Sequence, residues 1–375
     1  MEYKFTNRAS LANDIADFES RIVGNDIPSD GLVLLLDDIA LGERLGSTAK
    51  FPRNAMAFKW SDERQTTKLK YIEWSPSRTG LINPVAVFEP VELEGTTVSR
   101  ASLHNVSIFE ELMLGVGDEI SVYKANMIIP QVYENLTKSN TEKVPKICPA
   151  CGKDTTIKKD NESKVLLCTN PDCQVKHIKQ YALMASRDAL NIDGLSESTL
   201  EKFLSKGFIK SDSDLFHLDK FKDEIINMDG FGKRSYEKLI AALDEAKNTT
   251  VSRFLYSLGI AGIGSANAKM IAKYFDNDID RIISASKDDL LEIEGIGEVL
   301  ANSIADFFGS EKNIENVESL RKILKFEKEE SGSGDKLSGK VCVITGSLQH
   351  FSNRNELKEL IEKNGGKVSG SVSSK

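Results

Sequence analysis

The sequence predicts a multidomain α+β protein of dissimilar modules: a small β-barrel, a four-cysteine knuckle, an all-α region of helical hairpins and a partial α/β module. Three observations carry this. β-rich runs crowd into residues 68–134, separated by turn signals. Four cysteines fall as Cys148-x2-Cys151 and Cys168-x4-Cys173. An apolar-Gly pattern recurs four times within a stretch of helical periodicity. A length of 375 residues, at roughly 150 per domain, already calls for several units.

In chain order, residues 1–62 hold a turn at Pro28-Ser29-Asp30-Gly31, an apolar run over 32–36 and a second run over 54–60. Two strands and one short helical stretch bury too little apolar surface to stand alone, so the segment reads as the tail of a larger fold. Residues 63–142 carry about five strands, near 70–74, 82–88, 97–99, 119–124 and 131–134, enough for a small barrel. The cysteine knuckle occupies 143–178. Residues 179–326 are helical: Tyr236, Leu239, Ile240 and Leu243 share one face, as do Leu300, Ile304, Phe307 and Phe308. A Glu, Lys, Ser and Gly linker over 327–336 precedes 337–375, which reads as strand, helix over 355–364, and strand. A parallel pair of strands exposes edges and apolar faces, so this end is expected to pack poorly.

Apolar residues make up 40% and charged residues 28%, which excludes a wholly disordered or collagen-like chain. The 49 Lys and Arg against 57 Asp and Glu give a net −8, so a wholesale basic surface for nucleic acid is absent. Phosphate recognition by backbone N–H groups at helix N-termini needs no such surplus and stays open. No apolar run reaches the roughly 18 to 20 residues that cross a bilayer, and the start lacks a secretory stretch. The expected address is the cytoplasm, with no membrane partner, where cysteines serve as thiols and metal ligands.

The four copies of the repeat are Ile192-Asp193-Gly194-Leu195-Ser196, Met228-Asp229-Gly230-Phe231-Gly232, Ile260-Ala261-Gly262-Ile263-Gly264 and Ile293-Glu294-Gly295-Ile296-Gly297. Each reads as the turn of a helix-hairpin-helix, with glycine permitting positive φ and close backbone approach. The N–H groups opening the second helix then suit a DNA phosphate without reading sequence, and Lys233, Arg234, Ser235 and Ser265 add donors. Ser196 replaces the second glycine in the first copy, which therefore serves structure alone. The plainer reading makes each Gly-x-Gly pair a mere helix boundary. The two cysteine pairs suit a closed, structural zinc site. Seven Lys against four acids over 143–178 give the knuckle a local positive charge. His177 is an alternative ligand or a surface histidine.

Asp30-Gly31-Leu32-Val33, Ala57-Phe58-Lys59, Arg78-Thr79-Gly80, Leu103-His104-Asn105, Ile129-Pro130-Gln131, the four cysteines and the run Arg253-Phe254-Leu255-Tyr256-Ser257-Leu258-Gly259-Ile260 together carry a resemblance. Over its whole length the chain resembles the bacterial NAD-dependent DNA ligases, from late in the nucleotidyltransferase domain to early in the BRCT domain. The resemblance implies that the barrel is an OB fold and the C-terminal module a truncated BRCT domain. It implies nick sealing in replication and repair, with NAD and Mg²⁺ serving the parent enzyme and nicked duplex DNA as partner of a monomer. It also implies that Lys59 contacts the adenylate phosphate and that Arg78 meets the DNA backbone near the nick. His104 and Asn105 are either contacts or satisfied structural groups.

Two departures qualify the resemblance. The Lys-x-Asp-Gly motif that carries the adenylated lysine occurs nowhere in the sequence, so this chain is expected not to adenylate itself. Leu35 stands where the family places a lysine near the nucleotide phosphate. The alternative is a non-catalytic binder of nicked or gapped DNA.

Overall fold

The computed structural model describes residues 3–369 apart from 23, 25–28, 30, 49–50, 61, 161, 328–335, 347, 349 and 352–353. The expected turn at 28–31, most of the 327–336 linker and the last part of the final strand therefore lie outside the described residues. The chain divides into two compact units, Met1–Lys176 and His177–Lys375.

The first unit opens with helix α1 (Leu11–Ile22), strand β1 (Gly31–Leu35), helix α2 (Ile39–Leu45) and strand β2 (Ala55–Lys59). β1 and β2 are the two expected strands, paired antiparallel with Gly31 opposite Lys59. α2 has no counterpart in the sequence reading; Asp38 caps it by accepting from the Leu41 N–H. Among the described residues from 3 to 62 no apolar side chain is buried. This accords with the expectation that the segment forms no core of its own.

β3 (Gln65–Pro76), β4 (Leu81–Leu93), β5 (Thr96–Ser102), helix α3 (Val106–Leu112), β6 (Glu119–Ala125) and β7 (Ile129–Asn135) build the barrel. The order β3-β6-β7-β5-β4, closed by β3 pairing with β4, leaves no free edge within these five strands. Leu69, Phe88, Leu103, Phe109, Ile120 and Val122 fill it. Buried Asp118 accepts from the Asn135 amide at 2.7 Å and the Ser139 N–H at 3.3 Å. Burial raises its pKa, but these hydrogen bonds outweigh burial and hold the carboxyl below its ordinary value.

The knuckle hairpin, β8 (Thr155–Asp160) and β9 (Ser163–Cys168), adds to the same sheet. β9 pairs with β4 at Leu81↔Leu167 and Ile82↔Leu166, so barrel and knuckle share hydrogen-bonded backbone. Helix α4 (Gln174–Ala185) leads out of it into the second unit.

The second unit is helical, as its periodicity indicates. It contains α5 (Glu197–Ser205), a 3-10 stretch (Asp212–Phe221), α6 (Lys222–Ile226), α7 (Lys233–Ala246), α8 (Val251–Ser257) and α9 (Ser265–Tyr274). α10 (Ile279–Ile283), α11 (Lys287–Leu291), α12 (Glu298–Phe308) and α13 (Glu311–Arg321) follow. One continuous core joins them, with Phe203, Phe254, Leu239 and Ile304 among its buried members. Two short strands the sequence does not announce, β10 (Asn248–Thr249) and β11 (Lys325–Phe326), pair in parallel, and Phe326 packs edge-on against Phe254.

β12 (Val341–Val343), α14 (Arg354–Lys363) and β13 (Lys367–Ser369) end the described chain, with β12 and β13 parallel. Among the described residues from 337 onward no apolar side chain is buried. Hydrogen–deuterium exchange is expected to find these amides protected far less than those of β4 or α8. Protection across 341–369 equal to that of the barrel would contradict this.

Candidate functional site

The hairpin turns share one construction. Gly194, Gly230, Gly262 and Gly295 have φ between +77° and +92°, a region that other residues enter only with strain. Ile192 and Leu195, Ile260 and Ile263, and Ile293 and Ile296 plug the crossings and are buried; in the second copy Met228 is buried and Phe231 partly so. The exposed turns therefore rest on buried apolar feet.

The second glycines do not share the positive φ of the first. Gly232, Gly264 and Gly297 have φ of −167°, −87° and −93°, open to any residue, and a Cβ at each would meet no atom within 4 Å. Nothing within the protein requires glycine there. Each is the N-cap of α7, α9 or α12, and none supplies a side-chain cap. By contrast Asp38, Asn105, Ser196, Thr250, Asp278 and Ser286 cap their helices with side-chain oxygens. The first-turn N–H groups of the three glycine-capped helices are left facing outward, which suits an anion. Ser196 caps its own helix through the Thr199 N–H, so the first copy serves structure, as its sequence suggests.

Lys233 and Arg234 are exposed at the start of α7. Sequence reasoning missed a third cation: Lys202, on α5, donates from Nζ to the Asp229 carbonyl at 2.8 Å, within the second turn. Only the tertiary fold brings it there, although its place on the helix following the first turn was a readable signal.

The four cysteine sulfurs all lie within 4.8 Å of one another, and the Sγ atoms of Cys151 and Cys168 are 3.6 Å apart. Tetrahedral zinc with Zn–S bonds of about 2.3 Å requires sulfur separations near 3.8 Å. All five cysteines are free, so disulfides are excluded as the reason for the cluster. Hydrogen bonds from the Asn170 side chain and the Lys153 backbone draw the Cys151 thiol down to about 6. Burial pushes Cys168 up to about 12. His177 is not in the cluster.

Arg78 sits on the tight turn between β3 and β4. Gly80 closes that turn at φ +88°, and a Cβ on it would lie 2.6 Å from the Cys168 carbonyl. The Gly80 carbonyl in turn accepts from the Cys168 N–H at 2.8 Å. Cys168 of the cysteine cluster and the arginine turn are therefore clasped together. Asn105 proves structural: it caps α3 by accepting from Ile108 at 3.0 Å. Ser107 and Glu110 of that helix hold Lys164 of the knuckle. His104 enters the left-handed region at φ +59°. Arg253 is likewise structural, donating to the carbonyls of Ala189 and Arg187 ahead of the first hairpin.

Lys59 ends β2 and donates to Asn126 at 3.2 Å, at the rim of a cavity of about 180 Å³ that Trp60, Asp62 and Tyr123 also line. Typical small-molecule sites span about 300 to 1,000 Å³. Leu35 brings no charge and is 68% exposed.

A closed barrel, a four-cysteine knuckle and glycine-turned helical hairpins define a nucleic-acid-binding class of protein. Residues 66–144 match the NAD-dependent DNA ligase OB-fold domain, and residues 253–317 match the helix-hairpin-helix motif. The chain is 54% identical over 376 residues to a DNA ligase of Lachnoclostridium phytofermentans, covering all of this chain and 58% of that protein. It is 50% identical to a DNA ligase of Ruminiclostridium cellulolyticum, covering 57% of it, and 40% identical to one of Fusobacterium nucleatum, covering 56%. The chain therefore carries the OB-fold domain of the NAD-dependent DNA ligases together with a helix-hairpin-helix motif, and it corresponds to the C-terminal part of these relatives. It spans a little over half of their length. No helix among the described residues is long and apolar enough to cross a membrane.

Metal analysis is expected to find one zinc per chain. Cys168→Ser is expected to lower the melting temperature of the barrel as well as lose the ion, because β9 and Gly80 join the two. Loss of zinc with an unchanged barrel transition would contradict that coupling.

Proposed function

We propose that this chain supplies the DNA-holding modules of an NAD-dependent DNA ligase, gripping duplex DNA at a nick while adenylyl transfer and sealing proceed in the cytoplasm. The observation that carries the reading is the set of glycine-capped helices whose first-turn amides have no side-chain cap. A phosphodiester oxygen supplies the missing acceptor and needs the space that a Cβ would fill. Arg78, held to the zinc knuckle, adds a cation on the barrel, and Lys59 is the residue that would approach the adenylate phosphate once a nucleotide site is complete. Zinc acts as a brace, since four thiolates leave no ligand position for substrate. NAD supplies the adenylyl group, and Mg²⁺ the compensating charge, for the parent reaction. The C-terminal strand-helix-strand belongs to a BRCT module, and the chain acts as a monomer.

A second reading, a non-catalytic holder of nicked DNA, is favoured by the absence of Lys-x-Asp-Gly from the 375 residues and by the small cavity beside Lys59. Pre-adenylated nicked duplex separates the two: phosphodiester formation supports retained ligase chemistry, whereas tight binding without sealing supports the holder. Incubated with radiolabelled NAD, this chain is expected to carry no label after denaturation, because it has no lysine in the attacking motif. Label retained on the protein would contradict this.

Gly264→Val is expected to weaken binding to nicked duplex about tenfold, equivalent to about 1.4 kcal/mol. Its cost to folding is at most about 1 kcal/mol, that of a poorer N-cap. Unchanged affinity would reduce that hairpin to scaffold.

A further inference from the structure

We propose that the four hairpins work as two unequal pairs, in which the second hairpin, with Lys202, Gly232, Lys233 and Arg234, is the principal electrostatic grip on the phosphodiester backbone. On this proposal the fourth hairpin neutralises little phosphate charge. The inference rests on the DNA-holding reading above and deepens it.

The pairing follows from what the first glycine of each turn faces. Gly194 lies against Leu239 of α7, and Gly230 against Lys202 of α5, so the first and second hairpins interlock. Gly262 lies against Leu300 of α12, and Gly295 against Met270 of α9, so the third and fourth interlock in the same way. Lys202 and Met270 each stand eight residues after the first glycine of the leading hairpin, and each faces the first glycine of the following one. They are equivalent positions in a duplicated unit, one cationic and one apolar.

The Lys202 ammonium lies 3.8 Å from where a Cβ on Gly230 would stand, and it donates to the Asp229 carbonyl. An ammonium has three N–H groups, so this bond fixes the charge at the turn while leaving donors for a ligand. Lys233 and Arg234 are exposed on the adjoining first turn of α7. Lys202 stands at this turn, and residues 228–235 add Lys233 and Arg234 against the single acid Asp229.

The other turns lack this. Ser196 uses its own hydroxyl at the first, and residues 260–267 of the third carry no charge. At the fourth, Glu294 and Glu298 are exposed and residues 293–300 hold no Lys or Arg. Glu298 occupies the first position of α12, where a carboxylate is already favoured by the helix dipole and repels a phosphate within the screening length of about 8 Å.

Gly232 and Gly297 make a matched pair for the test, since neither has positive φ and neither would place a Cβ near another atom. Binding of the full chain to nicked duplex is measured from about 50 to 200 mM salt, where each phosphate neutralised contributes about 0.9 to the slope of log affinity against log salt. Gly232→Val is expected to weaken binding at least about tenfold and Gly297→Val by less than about twofold. Lys202→Met, which installs the residue found at 270, is expected to reduce the slope by about 0.9, and Lys202→Arg to preserve it. Equal or reversed losses at Gly232 and Gly297 overturn the proposal. So does a Lys202→Met variant that loses affinity equally at every salt, since that marks a mere brace. Failure of the unsubstituted chain to bind nicked duplex at all would instead remove the DNA-holding reading, and this inference with it.

Discussion

The structure turns on a shortage of acceptors. A helix begins with N–H groups that have no partner inside the helix, and α2, α3, α5, α8, α10 and α11 answer that need with a side-chain oxygen from Asp, Asn, Ser or Thr. α7, α9 and α12 do not. Their N-caps are glycines whose backbone angles any residue can adopt and whose surroundings have room for a side chain. A chain with a net charge of −8 can hold a polyanion only by concentrating positive potential at points, and oriented amides do this at no cost in net charge. The buried plugs Ile260, Ile263, Ile293 and Ile296 keep those points fixed in space.

The metal cluster solves a different problem. Arg78 stands on the short turn between β3 and β4. Clasping Gly80 to Cys168, and pairing β4 with β9, ties the turn to the four-cysteine cluster. α3 contributes from the other side, through Ser107 and Glu110 to Lys164. The knuckle thereby acts on the barrel through hydrogen-bonded backbone, and its own chemistry remains structural.

Much of this was legible in the sequence. Alternation and turn residues located all five barrel strands, although β3 and β4 run several residues beyond the expected limits because closure of the barrel extends their pairing. The cysteine spacing marked the metal cluster, and the apolar-Gly repeat marked every hairpin. What was not legible depended on distant contacts. Helices α2 and α3 are too short to show periodicity, and the parallel pair β10 and β11 joins residues far apart in the chain. Asn105 looked as much like a ligand contact as a cap until the Ile108 N–H was found in its reach. Lys202 was harder to read, because its partner, Asp229, belongs to the next copy of the repeat.

Backbone amide shifts, followed by NMR while nicked duplex is added, test the central claim most directly. The N–H signals of 233–235 and 265–267, at the openings of α7 and α9, are expected to move downfield together, as amides that gain a phosphate acceptor do. Shifts confined to lysine and arginine side chains, with those amides unmoved, would contradict the account.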